Sequence, residues 1–198
     1  SDALTGLASK DSSVVNILNY RALRTETCID GFQKKIEFNG SITNIDQYLR
    51  VIQYKTATLF EALCECTAVL AGCDNNIRKN LAMYGRNIGL AFQISDDVLD
   101  YTAESNEQIG KNIGDDLSGG KITLPFIYAF QNCTETRREI LKDIIQNRKV
   151  EDFMILRDII IETNSIKLTQ DKAKEFVSAA KENLKVVENS EIGSLLSF

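Results

Sequence analysis

Pro125 is the single proline in 198 residues, and the eleven glycines fall mostly between segments of helical periodicity. Proline and glycine are the residues that interrupt helices, so a chain this poor in the first is open to long ones. Apolar residues recur at three- and four-residue spacing along most of the sequence, which predicts an all-α fold in one domain over 1–198. A hydrophobic content of 43% supplies a substantial core.

Residues 1–8 read as the tail of a helix already under way. A second helix is predicted from Ser12 or Ser13 to Phe38, with Val14, Ile17, Leu18, Leu23, Ile29, Phe32 and Ile36 turned inwards and Asn39-Gly40 stopping it. The next starts from an N-cap at Thr43 or Asn44, carries Asp46 in its first turn and runs to Ala71, where Gly72 ends it. Its apolar pattern of Ile45, Leu49, Ile52, Leu59, Leu63 and Leu70 is interrupted by Lys55. Asp74-Asn75-Asn76 form a turn and cap into a helix from Ile77 to Tyr101. Residues 103–120 are a glycine-bearing loop too long for a passive connector. Pro125 falls in the first turn of a helix through Phe130. Amphipathic helices follow over 134–147, 151–162 and 167–187, and 193–198 either begins another apolar helix or is a tail.

Composition removes several functions. The 23 basic and 28 acidic residues give a net charge of −5, and no basic run is interleaved with aromatics, so nucleic acid is not an expected partner. No apolar stretch approaches the ~18 residues of a membrane span, and no signal-peptide pattern opens the chain; a soluble protein of the cytoplasm or an organelle interior is expected. The cysteines (Cys28, Cys64, Cys66, Cys73, Cys133) are odd in number and form no C-x-x-C pair, which argues for reduced thiols rather than disulfides or zinc. With no histidine anywhere, the usual general base and the Ser-His and Cys-His nucleophile schemes are absent. Chemistry here must run on carboxylates, lysines and metal.

The stretch that carries such chemistry is Gly89-Leu90-Ala91-Phe92-Gln93-Ile94-Ser95-Asp96-Asp97-Val98-Leu99-Asp100. On a helix, Gln93, Asp96, Asp97 and Asp100 line one stripe, with Leu81, Tyr84, Ile88, Ala91, Val98 and Leu99 on apolar faces beside it. Acids near a helix C-terminus meet the negative end of the macrodipole, at ~0.3–1 kcal/mol each, and also repel one another. A cation should compensate, and an all-oxygen carboxylate set suits a hard ion such as Mg2+; a solvated acidic face is the alternative. In the following loop Gly110, Gly114, Gly119 and Gly120 alternate with Lys111, Lys121, Asp115 and Asp116. Glycines admit backbone N–H groups to an anion and lysines add charge for phosphate oxygens. A Walker-type nucleotide loop is excluded because Lys121 is followed by Ile122.

The run Phe92-Gln93-x-x-Asp96-Asp97-x-Leu99-Asp100, then Gly110-Lys111-x-x-Gly114-x-Asp116-Leu117-x-x-Gly120-Lys121-x-Thr123-Leu124-Pro125, resembles the second aspartate-rich motif of the trans-isoprenyl diphosphate synthases. Upstream, Lys55-Thr56-Ala57-x-Leu59-Phe60 resembles the family element whose lysine and threonine grip an allylic diphosphate; without that resemblance Lys55 reads as an exposed lysine. Ser1-Asp2-Ala3-Leu4 resembles a segment shortly after the family's first aspartate-rich motif, and Asp30-Gly31-Phe32-Gln33 matches only loosely.

The resemblance implies an isoprenoid-synthase-type helical bundle, incomplete at its N-terminal side. It implies a Mg2+-dependent prenyltransferase that condenses isopentenyl diphosphate head-to-tail with an allylic diphosphate to make a polyprenyl diphosphate. Asp96, Asp97 and Asp100 are the implied metal ligands; Lys55, Thr56, Gln93, Lys111 and Lys121 the diphosphate ligands; Asp96, Asp97 and Lys55 the catalytic set. Closure of loop 103–120 over the diphosphate would exclude water from the allylic cation. The first aspartate-rich motif and the elements that bind isopentenyl diphosphate are absent from these residues. The chain is therefore read as the C-terminal part of a longer enzyme, expected as a homodimer, or alternatively as a non-catalytic or regulatory subunit of a heteromeric synthase. A terpene cyclase is disfavoured, because its Asn/Asp-Ser/Thr-Glu metal motif is not found near position 96.

Overall fold

A computed structural model describes residues 12–19, 44–102 and 115–188, and every regular element among them is helical, as the all-α reading predicts. Helix α1 covers 12–19. Helix α2, Ile45–Ile52, opens on a reciprocal capping box: the Gln47 N–H donates to Asn44 Oδ1 at 2.9 Å and the Asn44 N–H donates to Gln47 Oε1 at 3.3 Å. Asn44 is thus the cap. The long helix expected as far as Ala71 is interrupted: a π-helical turn, Gln53–Ala57, separates α2 from α3, Thr58–Leu70. Gly72, at φ 75°, closes α3 with the Cys73 N–H on the Ala68 carbonyl at 3.0 Å.

Asp74 caps α4, Asn75–Thr102, by accepting the Asn76 and Ile77 N–H groups at 2.7 and 2.9 Å, so this helix begins two residues before the expected Ile77. Within the stretch expected as loop, Asp115–Ser118 forms a single helical turn, α5. Helix α6, Leu124–Asn132, has Pro125 in its first turn and outlasts the expected Phe130. Thr134 caps α7, Glu135–Asn147, which ends on a left-handed Arg148. A 3-10 turn at Val150–Asp152 takes the first residues of the helix expected over 151–162, leaving α8 as Phe153–Glu162. Helix α9 is Ser165–Glu188. The expected helix tail at 1–8, the segment 20–38, Lys111 with Gly110 and Gly114, and 193–198 lie outside the described residues.

Contacts group the chain into two units. In the first (Ser1–Asp30, Val51–Ala91, Lys174–Phe198), Ile17 packs with Ala62 and Cys66, flanked by Val14 and Val69. Leu18 and the leucines expected to face inwards from α3, Leu59, Leu63 and Leu70, are instead exposed. Their place is taken by Ala57, Ala62, Cys66 and Ala68, because α4 presents glycine here. A Cβ built on Gly89 would lie 2.5 Å from Ala57 Cα, and one on Gly85 would lie 2.4 Å from the Phe60 carbonyl oxygen. Backbones this close leave room for small side chains only. Asn183 of α9 bridges two asparagines of α4, accepting from Asn87 at 3.1 Å and donating to Asn80 at 3.4 Å.

In the second unit (Gly31–Arg50, Phe92–Ala173), α6 packs on α7 and α8, and α7 on α8. Leu124, Phe126, Ile127, Leu141, Ile144, Leu156, Ile159 and Ile160 are shielded from solvent, each contributing about 1.5–3 kcal/mol. Ile94 and Val98, on the last turns of α4, are buried as well. The Tyr101 ring stacks on Phe153 at 5.9 Å. Leu99, expected on an apolar face, is 48% exposed. No helix among the described residues is long and apolar enough to cross a membrane.

Candidate functional site

The last turns of α4 carry Gln93, Asp96, Asp97 and Asp100 on one side, as the spacing predicts. Their environments differ. Asp97 and Asp100 are buried and Asp96 is partly exposed. Asp97 is held from two directions: the buried Tyr48 hydroxyl donates to Oδ2 at 2.6 Å, and Gln93 Nε2 donates to Oδ1 at 2.9 Å. Gln93 also lies 3.4 Å from Asp96 Oδ2. Asp100 Oδ2 accepts the Asp116 N–H at 3.4 Å, and Asp116 is paired with Lys121 at 2.7 Å. The acids therefore connect through α5 to the lysine that follows the glycine pair.

Burial pushes the Asp97 carboxyl up to about 6, and neighbouring Asp116 and Asp96 add to the rise, while the hydrogen bonds from Tyr48 and Gln93 pull against it. Burial and the Asp97 charge raise the Tyr48 phenol far above its ordinary value, so it stays a donor. A carboxylate kept this reluctant to ionise, in a cluster of like charges, marks a place where a cation has something to gain.

Arg157 Nε donates to the Tyr101 carbonyl at 2.9 Å, satisfying one of the orphan acceptors at the C-terminus of α4. The Tyr101 hydroxyl and Thr123 Oγ1 share a buried hydrogen bond of 3.0 Å, tying the end of α4 to the start of α6. Among the described residues no three acidic or sulfur side chains converge to enclose an ion. The donor set is all oxygen, and a carboxylate oxygen that accepts one hydrogen bond retains a second lone pair. It fits one wall of a site for a hard divalent ion.

Lys55 and Thr56 sit on the π-helical turn of the first unit, Lys55 exposed and Thr56 half-buried. Lys121 is half-exposed and engaged with Asp116.

The family model for polyprenyl synthetases matches residues 3–160. The chain belongs to that family. This polyprenyl synthetase chain is 48% identical over 101 residues to octaprenyl diphosphate synthase of Escherichia coli (strain K12), which covers 51% of the chain and 31% of that protein. It is 35% identical over 179 residues to octaprenyl diphosphate synthase of Haemophilus influenzae, covering 89% of the chain and 54% of that protein. In three dimensions it is similar to the polyprenyl synthase of Caulobacter crescentus CB15 solved with calcium and isoprenyl diphosphate: TM-score 0.81, 34% identity, 91% of this chain and 55% of that one. The chain thus spans about half the length of the relatives it matches, or less. The all-helical isoprenoid-synthase fold inferred from the motifs is the fold these neighbours share.

Tyr48 and Arg157 were not legible as site residues in the polyprenyl synthetase sequence. Tyr48 is 49 residues from its partner Asp97 and sits in the apolar rhythm of α2, where it reads as core. Tyr48→Phe should destabilise the protein by about 1.5–3 kcal/mol at pH 7.5, the cost of removing a donor from a buried charged acceptor, and by much less at pH 4, where Asp97 is protonated. Thermal melts at the two pH values check this.

Proposed function

We propose that this chain is the part of a trans-isoprenyl diphosphate synthase that holds and ionises the allylic diphosphate. What carries the reading is the oxygen-donor stripe Asp96, Asp97 and Asp100 on α4, joined through Asp116 to Lys121, in a chain of the polyprenyl synthetase family. A relative solved with calcium and isoprenyl diphosphate supports the pairing of a divalent ion with an isoprenoid diphosphate.

In this reading Asp96, Asp97 and Asp100 would hold Mg2+, which would supply positive charge against the diphosphate leaving group and so favour heterolysis of the allylic C–O bond. Lys55, Thr56, Gln93, Lys111 and Lys121 bind the diphosphate oxygens, and the lysines supply the remaining positive charge. Tyr48 and Gln93 fix the Asp97 carboxylate, so that little reorganisation is needed as charge develops. The C–C bond then forms between the allylic cation and the double bond of isopentenyl diphosphate, and the proton lost goes to the released diphosphate. The protein acts as a homodimer in the cytoplasm or an organelle interior.

The test is incorporation of labelled isopentenyl diphosphate into an allylic primer by the purified chain, with Mg2+ and then with EDTA. Metal-dependent elongation is expected. Folded protein that binds diphosphate with Mg2+ yet never elongates a primer would favour the non-catalytic subunit; folded protein that does not bind diphosphate would refute both.

A further inference from the structure

The π-helical turn at Gln53–Ala57 contains Lys55 and Thr56, and the structure shows what holds it. In a regular α-helix a threonine hydroxyl turned back on the ladder reaches the carbonyl four residues earlier. Thr58 reaches five: its Oγ1 donates to the Gln53 carbonyl at 2.9 Å, and its N–H donates to the same oxygen. One residue has been accommodated in the turn, which swings the side chains before it by about 100° relative to α3, one residue's share of a helical turn.

The other end of the same residue is fixed from α4. Arg86 Nη2 donates to Gln53 Oε1 at 2.6 Å. Close approach of α4 is possible because Gly89 faces the last residue of the turn, where a Cβ would stand 2.5 Å from Ala57 Cα and 3.0 Å from its Cβ. Ala57 and Thr58 are both buried. The exposed lysine of the turn thus rests on a buried, hydrogen-bonded base.

We propose that Gln53, Thr58 and Arg86 form a clamp that keeps this turn π-helical, and that they are positioning residues setting the direction in which Lys55 and Thr56 meet a diphosphate. This deepens the proposed function and rests on Lys55 and Thr56 being diphosphate ligands. None of the three clamp residues needs to touch the anion. Each acts on the backbone that aims the two that do.

The experiment is calorimetric titration of inorganic diphosphate, with Mg2+, into the purified chain. Thr58→Val combined with Arg86→Met removes two bonds from Gln53, and affinity is expected to fall about tenfold, the consequence of losing two ordinary hydrogen bonds' worth of bias toward the π form. Thr58→Ser, which restores the hydroxyl, should bind as the wild type does. Circular dichroism melts confirm that each variant is folded, and single Thr58→Val serves if the pair is not. In a background that lacks both side chains, Lys55→Ala with Thr56→Ala, the clamp substitutions should cost nothing further; an additive loss there would show a general structural effect and overturn the proposal. Wild-type affinity in the clamp variant with weakened binding in Lys55→Ala would also overturn it, while leaving the diphosphate reading intact. Wild-type affinity in Lys55→Ala would instead remove the reading on which the clamp depends.

Discussion

Asp97→Asn is expected to stabilise the metal-free protein at pH 7.5 and, on the proposed function, to lower turnover by about 10³-fold or more, the scale of removing a preorganised charge from a reacting site. The stabilisation follows from the direction of the carboxyl's shift. Asp97 titrates at about 6 in the fold against an ordinary 3.8, so below pH ~4 it is protonated in both the folded and unfolded states and contributes no penalty. As the pH rises to 6 the unfolded chain has already ionised while the folded one resists, and above 6 the folded protein carries the full cost of a buried charge. At ~1.4 kcal/mol per unit this is on the order of 3 kcal/mol. An asparagine keeps the shape. Its oxygen can still accept from Tyr48, and Gln93 can turn its amide so that the carbonyl receives the new N–H. Melting should therefore rise by roughly 5–10 °C at pH 7.5 and stay level at pH 4. On the proposed function, excess Mg2+ should raise the melting temperature of the wild type by more than that of the variant, which keeps only Asp96 and Asp100 of the three carboxylates. An unchanged melting curve at pH 7.5 would mean that Asp97 is already compensated, and would remove the argument that this cluster awaits a cation.

The parts of this site that local spacing governs were readable. Gln93, Asp96, Asp97 and Asp100 share a stripe because a helix places residues three and four apart together, and no tertiary information is needed to say so. Asp74 and Thr134 cap helices for equally local reasons. Reading failed where distant backbone decides. The leucines at 59, 63 and 70 repeat with good helical period, yet they are exposed, because periodicity identifies an apolar face and not what covers it. The buried face of α3 is made of Thr58, Glu61, Ala62, Cys66 and Ala68, small or polar residues that give a weaker signal, one that gains meaning only once Gly85 and Gly89 are known to face it. Lys55, interrupting the apolar pattern, was the one visible sign of the π turn, whose hydrogen bonds run through Thr58 and, from another helix, Arg86. The Tyr48 bond to Asp97 lies beyond any sequence rule, since pairing over 49 positions is set by how α2 meets α4 within the second unit.

Gly85→Ala tests that account, because two physical effects of opposite sign compete at one atom. Within a helix interior, alanine is favoured over glycine by about 1 kcal/mol, so a reading of α4 as an isolated helix predicts stabilisation. The structure predicts the reverse. The added methyl would lie 2.4 Å from the Phe60 carbonyl oxygen, 2.8 Å from the Phe60 carbonyl carbon and 2.8 Å from Cys64 Sγ. A flexible side chain could turn aside, but two of these three atoms are backbone, so α3 itself must move. Overpacking of this kind costs typically 1–3 kcal/mol and more where the backbone must shift, which leaves a net loss of about 2 kcal/mol after the propensity gain. Denaturant titration of the two proteins measures it. Adding Cys64→Ala relieves the sulfur contact but not the carbonyl one, so the double variant should remain below Cys64→Ala alone. If it does not, the clash lies with the thiol and the helices are less closely packed than the structure has them. Displacement of α3 would also carry the π turn that begins at Gln53, so on the proposed function Gly85→Ala should weaken diphosphate binding although position 85 is not among the proposed ligands. Loss of stability with undiminished binding would separate the packing of α3 from the aim of Lys55.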